Sequence, residues 1–214
     1  IVGASTSTFL LEKSRLVHVE ENERNYHVFY QLLAGLDEST KQTLGLSKGI
    51  DDFTMVAQGN CSTISEVDDS EEFTLTHSAL ATLKINNGDD INNFLASILH
   101  LGNATAHANV DDDTQPLDVS FKNVDINFVA NLLGVTANLL KRVINTRTST
   151  SGRGSTTAIP LNEVQTIANV KALIKFGYGN LFKYLVAKIN SSHDTDASIL
   201  SYTGILDIFG FEIM

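Results

Sequence analysis

The sequence has 214 residues, 43% of them hydrophobic and 19% charged, which suffices for one sizeable core or two small ones and excludes a disordered tail. No stretch approaches the roughly eighteen consecutive apolar residues of a membrane-spanning helix. The opening Ile1-Val2-Gly3-Ala4-Ser5-Thr6 lacks the basic region and apolar stretch of a signal peptide, and the single Cys61, which cannot pair internally, fits a reducing compartment. The net charge of -10 is unevenly placed. Residues 1–125 carry 7 Lys/Arg against 20 Asp/Glu, residues 126–193 carry 8 against Glu163 alone, and residues 194–214 carry four acids. A basic segment within an acidic chain points to a polyanionic partner, the plainer alternative being a solvated helix face.

In chain order, residues 1–9 are small, β-branched and hydroxyl-bearing, which predicts a strand whose sheet neighbour lies outside this sequence. An acidic turn at Glu20–Glu23 follows, then Tyr26, Phe29, Tyr30, Leu32 and Leu33, spaced as one face of a helix ending at Gly35. A short helix is expected at Glu38–Leu44. The acidic run Asp68-Asp69-Ser70-Glu71-Glu72 reads as a solvated helix start ahead of Phe73, with cation binding as the alternative. Ile91, Phe94, Leu95, Ile98 and Leu99 predict a helix up to Gly102. Residues 104–117, with three consecutive aspartates and Pro116, have no periodicity and are expected to form a long surface loop.

Two helices are expected around Phe128–Leu133 and Ala137–Ile144. Residues 145–157 contain no large apolar side chain and so cannot be core. Leu161, Val164, Ile167, Ile174, Tyr178, Leu181, Leu185 and Ile189 recur at three and four, predicting one long amphipathic helix weakened at Gly177 and Gly179. Residues 203–212 form an apolar run broken by Asp207, which suits a strand buried on both faces.

The phosphate-cradling G-x-x-x-x-G-K-[ST] is absent, and Gly152-Arg153-Gly154 and Gly177-Tyr178-Gly179 are incomplete as dinucleotide fingerprints. His100 and His107 have no metal-like spacing with another ligand and read as core or surface histidines. Asp207 differs from these. A carboxylate in a buried strand is unfavourable unless paired, and in nucleotide hydrolases its partner is hydrated Mg²⁺ at the carboxyl end of a strand. Gly210 would let a backbone N–H approach a γ-phosphate where a side chain would obstruct, and Glu212 would pair with a cation across the site.

Asp207-Ile208-Phe209-Gly210-Phe211-Glu212 resembles the switch II sequence of the myosin motor family. Leu10-Leu11-Glu12-Lys13-Ser14-Arg15 and Glu23-Arg24-Asn25-Tyr26-His27-Val28-Phe29-Tyr30-Gln31-Leu32-Leu33-Ala34-Gly35 resemble the family's blocks after switch I. Asp68–Phe73 and Ile98-Leu99-His100-Leu101-Gly102-Asn103 match in the middle, in the family's order. One departure is Val170-Lys171, where the family commonly has Arg-Asp.

The resemblance implies an α/β chain, a mostly helical part of a P-loop NTPase-like myosin motor domain whose strands belong to a larger central sheet. Residues 1–9 would be a sheet strand, 10–200 mainly the upper 50-kDa subdomain, and 203–212 a sheet strand with switch II. Actin-facing loops would lie near 104–117 and 145–159. The intact parent would be an actin-based motor coupling Mg·ATP hydrolysis to force, cytoplasmic and cytoskeletal. Its light chains or calmodulin would bind a lever arm outside this chain, and neither nucleic acid nor membrane contact is implied. Asp207 would hold the Mg²⁺ water shell, Gly210 would donate to the γ-phosphate, and Glu212 would pair with the switch I arginine. Arg147, Arg153 and Ser155 would contact F-actin. Counting back sixteen residues from Lys171 places Ser155, with Thr156 as its neighbour, where the family carries an acidic or phosphorylatable residue. The alternative is a non-catalytic filament-binding module derived from such a head. A GTPase-like switch is disfavoured by the missing guanine-recognition motif.

Overall fold

The fold is built around one buried helix. In α5 (Gly88–Gly102), Ile91, Leu95, Ile98 and Leu99 form the expected apolar stripe, and Ala96, His100 and Leu101 are also buried, so its second half is enclosed on most sides. The computed structural model describes residues 3–107, 117–150, 156–192, 201 and 203–207. The remaining helices are α1 (His27–Gly35), α2 (Glu38–Thr43), α3 (Thr54–Ala57), α4 (Asp69–Thr82), α6 (Ile126–Leu132), α7 (Ala137–Asn145) and α8 (Glu163–Ser192). Two antiparallel ribbons complete the described residues: β1 (Ala104–His107) with β2 (Asp118–Phe121), and β3 (Thr146–Thr150) with β4 (Thr156–Pro160). The chain is mostly helical with small antiparallel sheets, as its sequence class predicts.

Helix starts follow local chemistry. The side chains of Asp37, Asp68, Asp125 and Thr136 accept backbone N–H groups at the starts of α2, α4, α6 and α7. At α8 the arrangement is reciprocal: Asn162 Oδ1 accepts from the Gln165 N–H at 2.9 Å, and Gln165 Oε1 accepts from the Asn162 N–H at 3.2 Å. The hydroxyls of Ser39 and Thr40 hold the Asp37 carboxyl well below the usual carboxylate range.

The thirty residues of α8 span about 45 Å at 1.5 Å per residue. Its glycines have a packing role that the sequence alone does not show. A Cβ on Gly177 would lie 2.9 Å from Phe94 Cζ, and one on Gly179 would lie 2.8 Å from Lys13 Cε. Between them Tyr178 stacks on Tyr26, with ring centroids 4.8 Å apart, and burial pushes its phenol pKa up. Val170, at the departure from the family pattern, is 2% exposed and belongs to the core beside Ile174.

Residues 3–12 and 203–207 pair with no strand among the described residues, and Ile205 and Leu206 are 96% and 75% exposed. Their expected sheet neighbours lie outside this sequence, and an extended segment without hydrogen-bonded neighbours forms no sheet by itself. Three expectations need correction. Residues 104–107 are a strand rather than loop, because Ala104 and Ala106 turn toward the core while Thr105 pairs with Ser120 through their hydroxyls at 2.8 Å. The Thr-rich excursion forms the β3–β4 ribbon, since β-branched threonines suit extended backbone whether or not a core lies beneath. Asp69, within the acidic run, is ion-paired with Arg24 rather than solvated.

Candidate functional site

Three cations of the basic part of the chain, Lys141, Arg142 and Arg147, lie at the root of the β3–β4 ribbon. Helix α7 runs directly into β3, so the carbonyls of its last turn need partners from outside the helix. All four receive them. Arg142 O accepts from the Thr146 N–H and from Thr146 Oγ1 at 2.7 Å. Asn169 Nδ2, on α8, donates to Val143 O at 2.8 Å and more weakly to Ile144 O at 3.4 Å. Asn145 O accepts from the Leu161 N–H at 2.8 Å, closing the ribbon where β4 leaves it. The ribbon stands on a hydrogen-bonded root that is continuous with two helices.

Its exposed surface is cationic and rich in hydroxyls. Arg147 lies opposite Ile159 and is exposed, as are Thr148, Ser149, Thr150, Thr156 and Thr157. Lys141 and Arg142 are exposed on α7 immediately before it. Among the described residues none of these three cations makes an ion pair, so each is available to an acidic partner. Exposed Leu139, Val143 and Val164, at 39%, 43% and 80%, add apolar area nearby. Such a surface suits a partner that is both acidic and partly apolar.

Asp207 is exposed and lies in no helix or strand. Gly210 and Glu212, its expected companions, lie outside the described residues, as do Arg153 and Ser155 and residues 108–116 of the loop near 104–117. No group of three or more His, Cys, Asp or Glu among the described residues would hold a metal. One carboxylate is nevertheless compatible with Mg²⁺, which is commonly held by one or two carboxylates, several waters and substrate phosphates. No helix among the described residues is long and apolar enough to cross a membrane.

His100 is a core group. Its Nε2 lies 2.8 Å from Leu44 O, so this nitrogen carries the proton and donates, and the ring sits edge-on between Phe53 and Phe128. Burial holds its pKa below the ordinary histidine value.

Comparison with known proteins decides the family. The myosin head (motor domain) family model matches residues 1–214. The chain belongs to the myosin head family. It is 38% identical to myosin-52 of Schizosaccharomyces pombe over 99% of its own length and 14% of that protein's. It is 37% identical to the myosin-K heavy chain of Dictyostelium discoideum, covering 99% and 24%, and 34% identical to unconventional myosin-Ic of Bos taurus, covering 99% and 20%. This myosin-head chain thus spans about one seventh to one quarter of the relatives it matches.

Sequence reasoning missed Asn145 and Asn169, which build the root of the cationic ribbon. The one local signal for Asn145 was a polar residue closing the apolar helix pattern of α7.

Proposed function

We propose that this chain is the part of an actin-based, Mg·ATP-hydrolysing motor that supplies switch II and a share of the actin-binding surface. The observation that carries the reading is the cationic β3–β4 ribbon, with Arg147 exposed and unpaired among the described residues, in a chain of the myosin head family. Residues 10–200 would be mainly the upper 50-kDa subdomain, with residues 1–9 and 203–212 joining a larger sheet. Bound Mg²⁺ would neutralise charge developing on the transferred phosphoryl group. Asp207 would orient a Mg²⁺-bound water, the Gly210 N–H would donate to the γ-phosphate, and Glu212 would pair with an arginine elsewhere in the head. Arg153 and Ser155 would extend the cationic ribbon toward actin, Ser155 as a phosphorylation site adding about -1.5 to -2 charge. Light chains or calmodulin would bind elsewhere in the parent, which would act in the cytoplasm on the cytoskeleton. The isolated 214 residues, which contain no phosphate-loop sequence, would not turn over ATP.

The test is Gly210→Ala in the full-length protein. A methyl group there obstructs closure on the γ-phosphate and leaves the α- and β-phosphate contacts alone. The variant is expected to bind a fluorescent ATP analogue like wild type and to lose the single-turnover phosphate burst. A normal burst overturns the switch II assignment. F-actin binding by a wild-type protein that shows no burst favours the non-catalytic binding module instead.

A further inference from the structure

A cavity of about 150 Å³ lies between α8, α3 and the end of α5. Its wall is apolar: Met55, Leu101, Val170 and Ile174 are buried there and Ile167 is half-buried. Polar groups stand only at its edge, where Thr54 and Lys171 are exposed and Gln58 is half-buried. Lys171 is the one titratable group among the described residues that line the cavity, and it makes no ion pair among the described residues. The space is held open by a glycine. A Cβ on Gly102 would lie 2.7 Å from Met55 Sδ and nearer still to its Cγ, so the absent side chain lets the flexible Met55 lie back against α5. An apolar cavity of this size admits a molecule as large as benzene, whereas a water would need about two to four polar partners that the wall does not offer.

We propose that this cavity is a binding site for a small amphipathic carboxylate, with an apolar body of about phenyl size against Met55, Val170 and Ile174 and its charged end at the Lys171 ammonium. An apolar wall with one cation at its edge selects for both parts of such a ligand. A neutral molecule of the same shape keeps the apolar contacts and lacks the ion pair, and a bare anion has the ion pair alone. The Thr54 hydroxyl is a second donor at the charged end. The site uses neither Asp207 nor the β3–β4 ribbon, so it stands independently of the motor reading.

The experiment titrates the full-length protein with 4-fluorobenzoate and with its neutral counterpart 4-fluorobenzamide, followed by fluorine NMR. The methyl resonance of Met55, identified by its loss in Met55→Leu, reports where the probe binds. A dissociation constant of about 1 mM is expected for a carboxylate of this size, with the amide several-fold weaker and the Met55 signal shifting along the same curve. Lys171→Glu, a change at an exposed position, should weaken 4-fluorobenzoate about tenfold by exchanging an attraction for a repulsion, and leave 4-fluorobenzamide within about twofold. Gly102→Ala drives Met55 into the cavity and should weaken both probes about tenfold. Should that variant not fold, Ile167→Phe, which fills the cavity from its half-buried wall, takes its place. Absence of saturable binding, the result when another segment of the parent occupies the cavity, overturns the proposal. So does an unmoved Met55 signal, equal 4-fluorobenzoate affinity in wild type and Lys171→Glu, or undiminished binding of both probes in a folded cavity-filling variant.

Discussion

Arg24 and Asp69 form an ion pair at 2.6 Å with side chains 3% and 13% exposed, and the Arg24 guanidinium lies 3.7 Å from the centre of the Tyr30 ring. The pair joins the segment before α1 to the first turn of α4, a helix that has no fully buried residue. Arg24 also donates to Ser62 O at 3.1 Å, yet its Nε and Nη1, and Asp69 Oδ1, are buried without hydrogen-bond partners among the described residues. Breaking the pair strands a buried charge. Asp69→Ala is expected to cost about 3–5 kcal/mol, and the paired change Arg24→Met with Asp69→Leu distinctly less, because it removes both charges. Urea unfolding of the three proteins measures this, and a double variant as unstable as the single would contradict it.

His100 makes stability depend on pH with a definite sign. Its folded pKa lies below the unfolded value of about 6.5, so acid protonates the unfolded chain first and stability falls as pH drops through that value. The slope contributed by one such group is at most about 1.4 kcal/mol per pH unit, and it ends at the folded pKa. Protonation would put an unsatisfied N–H at Nδ1, which is buried without a partner between Phe53 and Phe128. Urea midpoints between pH 7.5 and 5 should fall more steeply in wild type than in His100→Gln. Parallel slopes would rule His100 out as the cause.

The two glycines of α8 should respond differently to alanine. In an ordinary helix interior the change gains about 1 kcal/mol. At Gly179 the obstructing atoms are the flexible end of Lys13, which can move, so that gain should largely survive. At Gly177 the obstruction is the Phe94 ring, packed against the core, and overpacking of about 1–3 kcal/mol should win. Thermal melts of Gly177→Ala, Gly179→Ala and Gly177→Ala with Phe94→Leu test the contrast, the last restoring stability. A stabilising Gly177→Ala would show that Phe94 moves freely.

Thr6 and Asn190 form a two-point contact: Asn190 Oδ1 accepts from the Thr6 N–H at 2.7 Å, and its Nδ2 donates to Thr6 O at 2.8 Å. The amide side chain thus substitutes for a strand neighbour and ties residues 3–9 to the last turns of α8. Exchange of the Thr6 amide should be slow in wild type, fast in Asn190→Ala, and still slowed in Asn190→Asp, which keeps the acceptor. Equal Thr6 exchange in all three would show that the contact does not persist in solution.

The long helices were legible in the sequence because their apolar spacing coincides with burial, as at Ile91, Leu95, Ile98 and Leu99. The start of α8 was available locally in Asn162 and Gln165. The Arg24–Asp69 pair was not, since 45 residues separate partners that no local pattern relates. The β3–β4 ribbon escaped notice because its pairing is carried by backbone and by exposed threonines rather than by an apolar face. Asn145 and Asn190 were hidden for a related reason: each side chain bonds a distant backbone group, and such contacts leave no periodicity. Of the site, Arg147 was reachable through the charge asymmetry, whereas Asp207, Gly210 and Glu212 stood out as a carboxylate, a glycine and a second acid in an apolar run, and the family resemblance gave them their expected roles.

Actin activation of phosphate release decides whether this chain is part of an actin-activated ATPase. The full-length protein is expected to hydrolyse Mg·ATP slowly alone and markedly faster as F-actin is added, with Arg147→Glu requiring more actin for half-maximal activation and Asp207→Ala abolishing turnover at every actin concentration. Phosphate release that F-actin leaves unchanged, in a protein that binds ATP, would contradict the claim.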